Sequence, residues 1–194
     1  MYTIKFWTSH DTGLSLDEVK ELYEIGAADG TLDIVAYDCP RLSPGLFETF
    51  VRRLDKIGFF AGVYGDQDRP VGFFFLSCFE GDTARIHFCL FNYGMERRHE
   101  IGDFVLETCF NFFKLKTLIG LVPVINQGAA NYCLEMGGRK TVLIPGACWI
   151  ARLRRSVGGL QYLFFPRASA KPLESAVSDP HQADHNRIQA GYSG

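Results

Sequence analysis

The sequence predicts a single α/β domain whose central sheet is covered on both faces, and three observations support this prediction. The chain has 194 residues, 47% of them hydrophobic, which suits one domain with a full core. Aromatic runs such as Phe73-Phe74-Phe75 are typical of strands buried on both faces. Helix and strand patterns follow one another along the chain as far as residue 165. We therefore assign residues 1–165 to one domain.

The first two helices are predicted from their caps. Ser15 to Glu18 has the capping-box form, and apolar residues then repeat at helical spacing over 16–26. The apolar residues 32–37 indicate a strand. The Ser43-Pro44 pair supplies the cap and first position of a second helix. That helix is expected to end near Gly58.

The rest of the domain is predicted as an antiparallel meander followed by alternating elements. Glycine-containing turns separate the strands of the meander. An apolar face indicates a helix over 102–115. Gly137-Gly138 suits the left-handed C-terminal cap of a further helix over 127–136. In order, we expect strands 59–64, 71–79 and 84–91, a helix 102–115, a strand 117–125, a helix 127–136, and strands 140–144 and 148–154 flanking a Pro145-Gly146 turn.

Charge and composition exclude several classes of partner. With 20 basic and 22 acidic residues the formal net charge is −2, so nothing in the bulk charge favours nucleic acid or an anionic membrane. No apolar run reaches the roughly 18 residues that cross a bilayer, and residues 1–10 lack the layout of a signal peptide. We expect a cytoplasmic protein.

Neither the cysteines nor the histidines indicate a metal site. The six cysteines lie far apart, mostly in apolar segments, and are expected to be reduced core thiols. His181 and His185 lie in a polar stretch where no helix is assured.

These two histidines belong to residues 166–194, which are too poor in apolar residues to order themselves. We expect a tail that is flexible or ordered by a partner.

Two motifs and the order of elements resemble the GNAT (Gcn5-related N-acetyltransferase) superfamily over residues 1–155. In that family, the loop between the fourth strand and third helix carries Q/R-x-x-G-x-G/A, whose amides bind the pyrophosphate of acetyl-CoA. Arg97-Arg98-His99-Glu100-Ile101-Gly102 matches it, with Glu100 at the first glycine. A helix beginning near Gly102 would attract phosphate, aided by Arg97 and Arg98. The Glu100 carboxylate either opposes the phosphates or caps the helix.

The second motif concerns the helix after the fifth strand. Many family members carry N-x-x-A there, which Asn126 and Ala129 match, together with a Tyr that protonates the leaving thiolate. Cys133 takes that Tyr position here, and Tyr132 lies one residue earlier. The resemblance thus implies Tyr132 as the candidate general acid and Asn126 and Ala129 as cofactor-binding residues.

A base and an oxyanion donor are expected on the fourth strand. Alternation places His87 on the same face as Arg85. Its unperturbed pKa near 6.5 would suit proton removal from an ammonium, although a hydrogen-bonded histidine within the sheet is the alternative. The resemblance further implies that a backbone amide in Leu90-Phe91-Asn92 polarises the thioester carbonyl.

Two functions remain open on the sequence. The resemblance implies a mixed, mostly antiparallel sheet of six to seven strands and transfer of an acetyl group from acetyl-CoA to a primary amine by direct attack. The acceptor amine and the oligomeric state, including a homo-oligomer, are left open. The alternative is a GNAT-like scaffold with little or no catalysis, such as a phage head-assembly or virion component, whose residues 166–194 dock on a protein partner.

Overall fold

The computed structural model describes residues 1–7, 13–39 and 42–167. Most of the predicted tail, with His181 and His185, lies outside the described residues. Short 3₁₀ segments at Asp66–Asp68, Asn92–Arg97 and Ala151–Leu153 join some of the elements. The helices and strands are β1 (Thr3–Phe6), α1 (Leu16–Ala28), α2 (Leu32–Val35), α3 (Pro44–Ile57), β2 (Phe59–Tyr64), β3 (Pro70–Glu80), β4 (Thr83–Leu90), α4 (Arg98–Phe112), β5 (Thr117–Pro123), α5 (Gln127–Glu135), β6 (Arg139–Ile150) and β7 (Arg155–Phe164).

The strands form one seven-stranded sheet in the order β1-β2-β3-β4-β5-β7-β6. β4 and β5 are parallel neighbours, and the other neighbouring pairs are antiparallel. The predicted meander is β2-β3-β4, with its strands adjacent as expected. The mixed, mostly antiparallel sheet of six to seven strands is therefore confirmed.

Each face of the sheet has its own core. Phe73 packs beneath α1, α2 and α3, whereas its neighbour Phe74 packs beneath α4 and α5. Both rings are almost completely buried, because successive side chains of a strand point to opposite faces. Truncating a ring of this kind costs about 3–5 kcal/mol. The aromatic run thus anchors helices on both faces, as the sequence predicted.

The predicted caps start the first two long helices. The Ser15 hydroxyl accepts from the Glu18 amide at 3.2 Å, and the Glu18 carboxylate accepts from the Ser15 amide at 2.7 Å. The Ser43 hydroxyl accepts from the Leu46 amide at 3.3 Å. These bonds satisfy amides that have no partner within a helix, and both helix starts are confirmed.

The strand expected at residues 32–37 is wrong. Leu32–Val35 is a single helical turn, closed by a bond from the Ala36 amide to the Leu32 carbonyl at 2.7 Å. Leu32 is buried against α1, whereas Ile34 is half exposed. A short apolar run fits a buried strand or a buried helical turn equally well, so its pattern alone did not decide between them.

The predicted final hairpin is also wrong. Residues 139–150 form one strand, and its pairing with β7 is irregular between Ile144 and Cys148, where Pro145 and Gly146 lie. The chain reverses instead through Ala151–Leu153 and Arg154, which has a φ of 50°. A Pro-Gly pair suits a bulge in an edge strand as well as a turn. β1 and β7 were not predicted.

The cysteine prediction holds for part of the set. Cys89, Cys109 and Cys148 are buried, but Cys78 is exposed in β3, so the six thiols do not all lie in the core. The backbone of Cys78 has a φ of 52°, at an irregular point in the pairing of β3 with β4.

Within the described ranges, none of the helices is both long and apolar enough to span a bilayer.

Candidate functional site

The sheet opens into a V between its two parallel strands. β4 and β5 pair over Thr83–Arg85 and Thr117–Ile119. β4 then continues to Leu90 and β5 to Pro123, and in the described chain no further residue pair joins them. Their inner edges therefore carry backbone groups that a ligand can pair with.

A cavity of about 170 Å³ occupies this gap and reaches both faces of the sheet. An engineered apolar cavity of about 150 Å³ holds benzene, so this one accommodates a group of similar size. Ile34, Val35 and Tyr37 line it on the α2 side, and Gly102 and Tyr132 line it on the side of α4 and α5. The gap thus connects the two faces, and we name it the gap cavity.

Helix α4 begins four residues earlier than predicted, at Arg98. Gly102 therefore lies in the second turn, where its amide belongs to the i to i−4 ladder and is not a free donor. The Arg98 amide donates to the Met95 carbonyl. The amides of His99 and Glu100, at the second and third helical positions, are the donors that the start of the helix leaves for an anion.

The Glu100 side chain turns away from both predicted roles. Its carboxylate accepts from the Arg97 guanidinium at 3.0 Å and from the Tyr2 hydroxyl at 3.2 Å. Hydrogen bonds from Arg97 and then Tyr2 hold the pKa of Glu100 below its usual value. Arg97 also pairs with Asp66 at 3.2 Å. The Glu100 carboxylate is therefore bonded to Arg97 and Tyr2 and does not cap α4.

A different acidic residue, which the sequence analysis missed, faces the start of α4. Glu135 of α5 pairs with Arg98 at 3.3 Å, and its carboxylate lies 3.5 Å from the His99 ring nitrogen Nε2. Beside it, the Tyr132 hydroxyl donates to the Arg98 carbonyl at 2.8 Å. A Cβ at Gly102 would clash with that hydroxyl, so the glycine permits Tyr132 to reach across from α5 to α4.

His87 projects into the gap cavity but is not the ordinary base that the sequence predicted. Its ring stacks on Phe75, with centroids 4.2 Å apart and planes 6° apart. Burial, and then the nearby Arg85, lower the pKa of His87 to about 4. The imidazole is therefore neutral at physiological pH and binds a proton far more weakly than a free histidine does.

Tyr132 and Cys133 line the gap cavity opposite His87. Burial raises the pKa of Tyr132 well above its usual value, so the phenol keeps its proton. Burial also raises the pKa of the Cys133 thiol to about 12, which leaves little thiolate for nucleophilic attack. Tyr132 thus lies in the cavity wall as a protonated phenol whose hydroxyl is bonded to the Arg98 carbonyl.

The remaining predicted residues have mixed placements. The Phe91 amide donates to the Val71 carbonyl at 2.9 Å, and the Asn92 amide donates to Asp29 at 2.6 Å. These two amides are not free for a thioester, which contradicts the prediction for them; Leu90 lies at the end of β4, paired with Gly72. Ile101 is buried in the core.

The Asn126 and Ala129 pair has a structural role. The Asn126 side chain accepts from the Ala129 amide at 3.0 Å and caps α5, and both residues line the gap cavity. The gap itself left one signal in the sequence, Gly120 inside β5. A glycine within a strand often marks the close approach of a ligand or another backbone.

The comparisons with known proteins identify the fold. No protein-family model matches the sequence, and no curated protein sequence matches it significantly. A solved structure of spermidine N-acetyltransferase from Vibrio cholerae in complex with CoA and spermine does match. It has a TM-score of 0.67 at 13% identity, over 84% of this chain and 95% of that one. This chain has the GNAT fold.

Further solved structures with the GNAT fold match at similar levels. A putative ribosomal-protein-serine acetyltransferase from Vibrio cholerae has a TM-score of 0.61 at 18% identity, over 78% of this chain and 90% of that one. The spermidine enzyme is also solved as a dodecamer, which matches with a TM-score of 0.62 at 13% identity, over 84% of this chain and 93% of that one. At these identities the likeness establishes the GNAT fold, and activity has to be argued from the site.

Proposed function

We propose that this protein transfers an acetyl group from acetyl-CoA to a primary amine. The observation that supports this proposal is the gap between β4 and β5, which offers unpaired strand edges and a cavity open to both faces of the sheet. A structural neighbour with the same fold is in complex with CoA and spermine, and another is a dodecamer. Homo-oligomerisation is therefore part of the proposal.

The residues of the site fit acetyl-CoA as co-substrate. The amides of His99 and Glu100 and the Arg98 side chain would hold its pyrophosphate at the start of α4. The pantetheine arm would enter the gap between the unpaired strand edges. Acetyl-CoA supplies a thioester, which an amine attacks readily once the two are held together.

The reaction would proceed by direct attack within the gap cavity. The amine nitrogen forms a bond to the acetyl carbon, the bond from that carbon to sulfur breaks, and the amine loses a proton to water. Tyr132 would turn from its hydrogen bond with the Arg98 carbonyl, give its proton to the departing thiolate and regain one from solvent. His87 orients the incoming amine through a hydrogen bond, since a pKa of about 4 makes it a poor acceptor for the proton of an ammonium.

Calorimetric titration with acetyl-CoA, combined with mass spectrometry of the reaction with an amine panel, tests this function. We expect a micromolar dissociation constant and a mass increase on the accepted amine that corresponds to one acetyl group. Absence of heat and of thermal protection up to millimolar acetyl-CoA would refute the proposal.

A matched pair of variants distinguishes the two carboxylates near the expected phosphate position. Glu135→Gln releases Arg98 and His99 and removes a negative charge from the start of α4. We expect it to tighten acetyl-CoA binding about threefold to tenfold at low salt, because exposed charges contribute modestly. Glu100→Gln should change the affinity less, since that carboxylate is tied to Arg97 and Tyr2. A larger effect at Glu100 in the same titration would contradict this placement.

One observation favours the non-catalytic alternative. Both arginines of the phosphate motif are already paired, Arg97 with Asp66 and Glu100 and Arg98 with Glu135. A scaffold that binds a protein partner needs no free cation at this position. The titration above separates the two functions, because the scaffold predicts an intact fold without acetyl-CoA binding.

A further inference from the structure

The described part of the wall of the gap cavity carries no charged side chain. Among the described residues that line it there is no Asp, Glu, Lys or Arg, and most of its members are aliphatic or aromatic. The polar side chains in the wall are Tyr37, His87, Asn126, Tyr132 and Cys133. Because burial lowers the pKa of His87 to about 4, the imidazole adds no charge at neutral pH.

If the proposed function holds, the acceptor amine enters the cavity through one of its two mouths. The phosphates of acetyl-CoA would lie at the start of α4, on one face of the sheet. The acceptor amine must then arrive from the other face, past Ile34, Val35 and Tyr37. The Ile34 side chain is 53% exposed, so an apolar group meets the solvent at this mouth.

Two charged side chains outside the wall act on His87. Asp38 and Arg85 are both exposed, and they shift the pKa of His87 in opposite directions. The effect of Arg85 is the larger of the two, so together these charges do not favour a cation beside His87. A second ammonium that is drawn inside the cavity would lose hydration without a carboxylate among the described wall residues to pair with, which is costly.

We propose that the acceptor is a monoamine whose amino group is carried on a short apolar chain or a small ring, and that polyamines are poor substrates. This inference rests on the proposed function and narrows its substrate class. The size of the cavity agrees with it, since about 170 Å³ leaves room for a few carbon atoms beside the acetyl group. An apolar chain loses nothing on leaving water and gains from burial.

The test compares n-hexylamine with cadaverine, which have the same length and differ in a terminal methyl against a terminal ammonium. We expect kcat/KM for hexylamine to exceed that for cadaverine by about 30-fold or more, since burying an unpaired charge is strongly unfavourable. Spermidine should be at least as poor as cadaverine. If kcat/KM is higher for cadaverine or spermidine than for hexylamine while acetyl-CoA binds normally, the proposed acceptor class is wrong. The proposal of acetyl transfer would be unaffected by that result.

Variants with a new carboxylate provide the second measurement. Ile34→Glu places a negative charge at the mouth and should shift the hexylamine-to-cadaverine ratio about tenfold toward cadaverine. Ile57→Glu is the control, because Ile57 is 67% exposed at the end of α3 and does not line the cavity. An unchanged ratio in Ile34→Glu would overturn the inference. If acetyl-CoA binds and none of the amines is acetylated, the acceptor class is wrong; if acetyl-CoA does not bind, the proposed function itself fails.

Discussion

Gly120→Phe is expected to lower kcat/KM for acetyl transfer by about 10³-fold or more. Gly120 lines the gap cavity, and a Cβ at this position would meet nothing closer than Phe164 at 3.3 Å and Tyr162 at 4.0 Å. β5 therefore accepts a side chain here with a small shift of one ring. The phenyl group would then fill a cavity of benzene size and exclude both the thioester and the amine.

The control for this variant is Gly45→Phe in α3, where a Cβ would meet no atom within 4 Å. Thermal unfolding should show that Gly120→Phe still folds, at a cost of about 1–3 kcal/mol for overpacking. Gly120→Ala should give an intermediate loss of activity. A folded Gly120→Phe protein that binds acetyl-CoA and retains full activity would show that the gap is not the site.

His87→Phe is expected to make the protein less sensitive to acid. The pKa of His87 is about 4 in the folded state, because of burial and then Arg85, against about 6.5 when unfolded. Between these values the unfolded chain binds more protons, so stability is complete above about pH 6.5 and is lost as the pH falls toward 4. This difference costs the wild-type protein about 2–3 kcal/mol by pH 4.5.

Urea unfolding of both proteins at pH 7.5 and at pH 4.5 measures this effect. At pH 7.5 the imidazole is neutral, so the difference between the proteins there reports the packing of the new ring on Phe75 alone. The further difference at pH 4.5 reports the proton. If the free energy of unfolding of both proteins falls equally between the two pH values, the imidazole does not carry the acid sensitivity.

Much of the fold could be predicted because local signals and burial agreed. The capping box at Ser15 and the Ser43-Pro44 start place two helices, and the run at Phe73-Phe74-Phe75 places a strand between two cores. The errors lie where two structures satisfy the same pattern. The run 32–37 is apolar as a helical turn or as a strand, and Pro145-Gly146 suits a bulge or a turn.

The candidate site was less predictable because its geometry depends on contacts between elements far apart in the sequence. Strand alternation indicated His87 and the resemblance to the GNAT motif indicated Tyr132, and both line the gap cavity. No local pattern indicates that Phe75 stacks on His87, or that Glu135 of α5 pairs with Arg98 of α4. Burial within the folded protein also lowers the pKa of His87 to about 4, whereas the sequence analysis used the unperturbed value.

The short pairing between β4 and β5 has a mechanical consequence. Three residue pairs join β1–β4 to the strands β5–β7, so few backbone hydrogen bonds hold the two parts of the sheet together. A ligand that bonds to both free edges would add hydrogen bonds between these two parts. Binding would then stiffen the whole molecule, and the unfolding of each half would become coupled to that of the other.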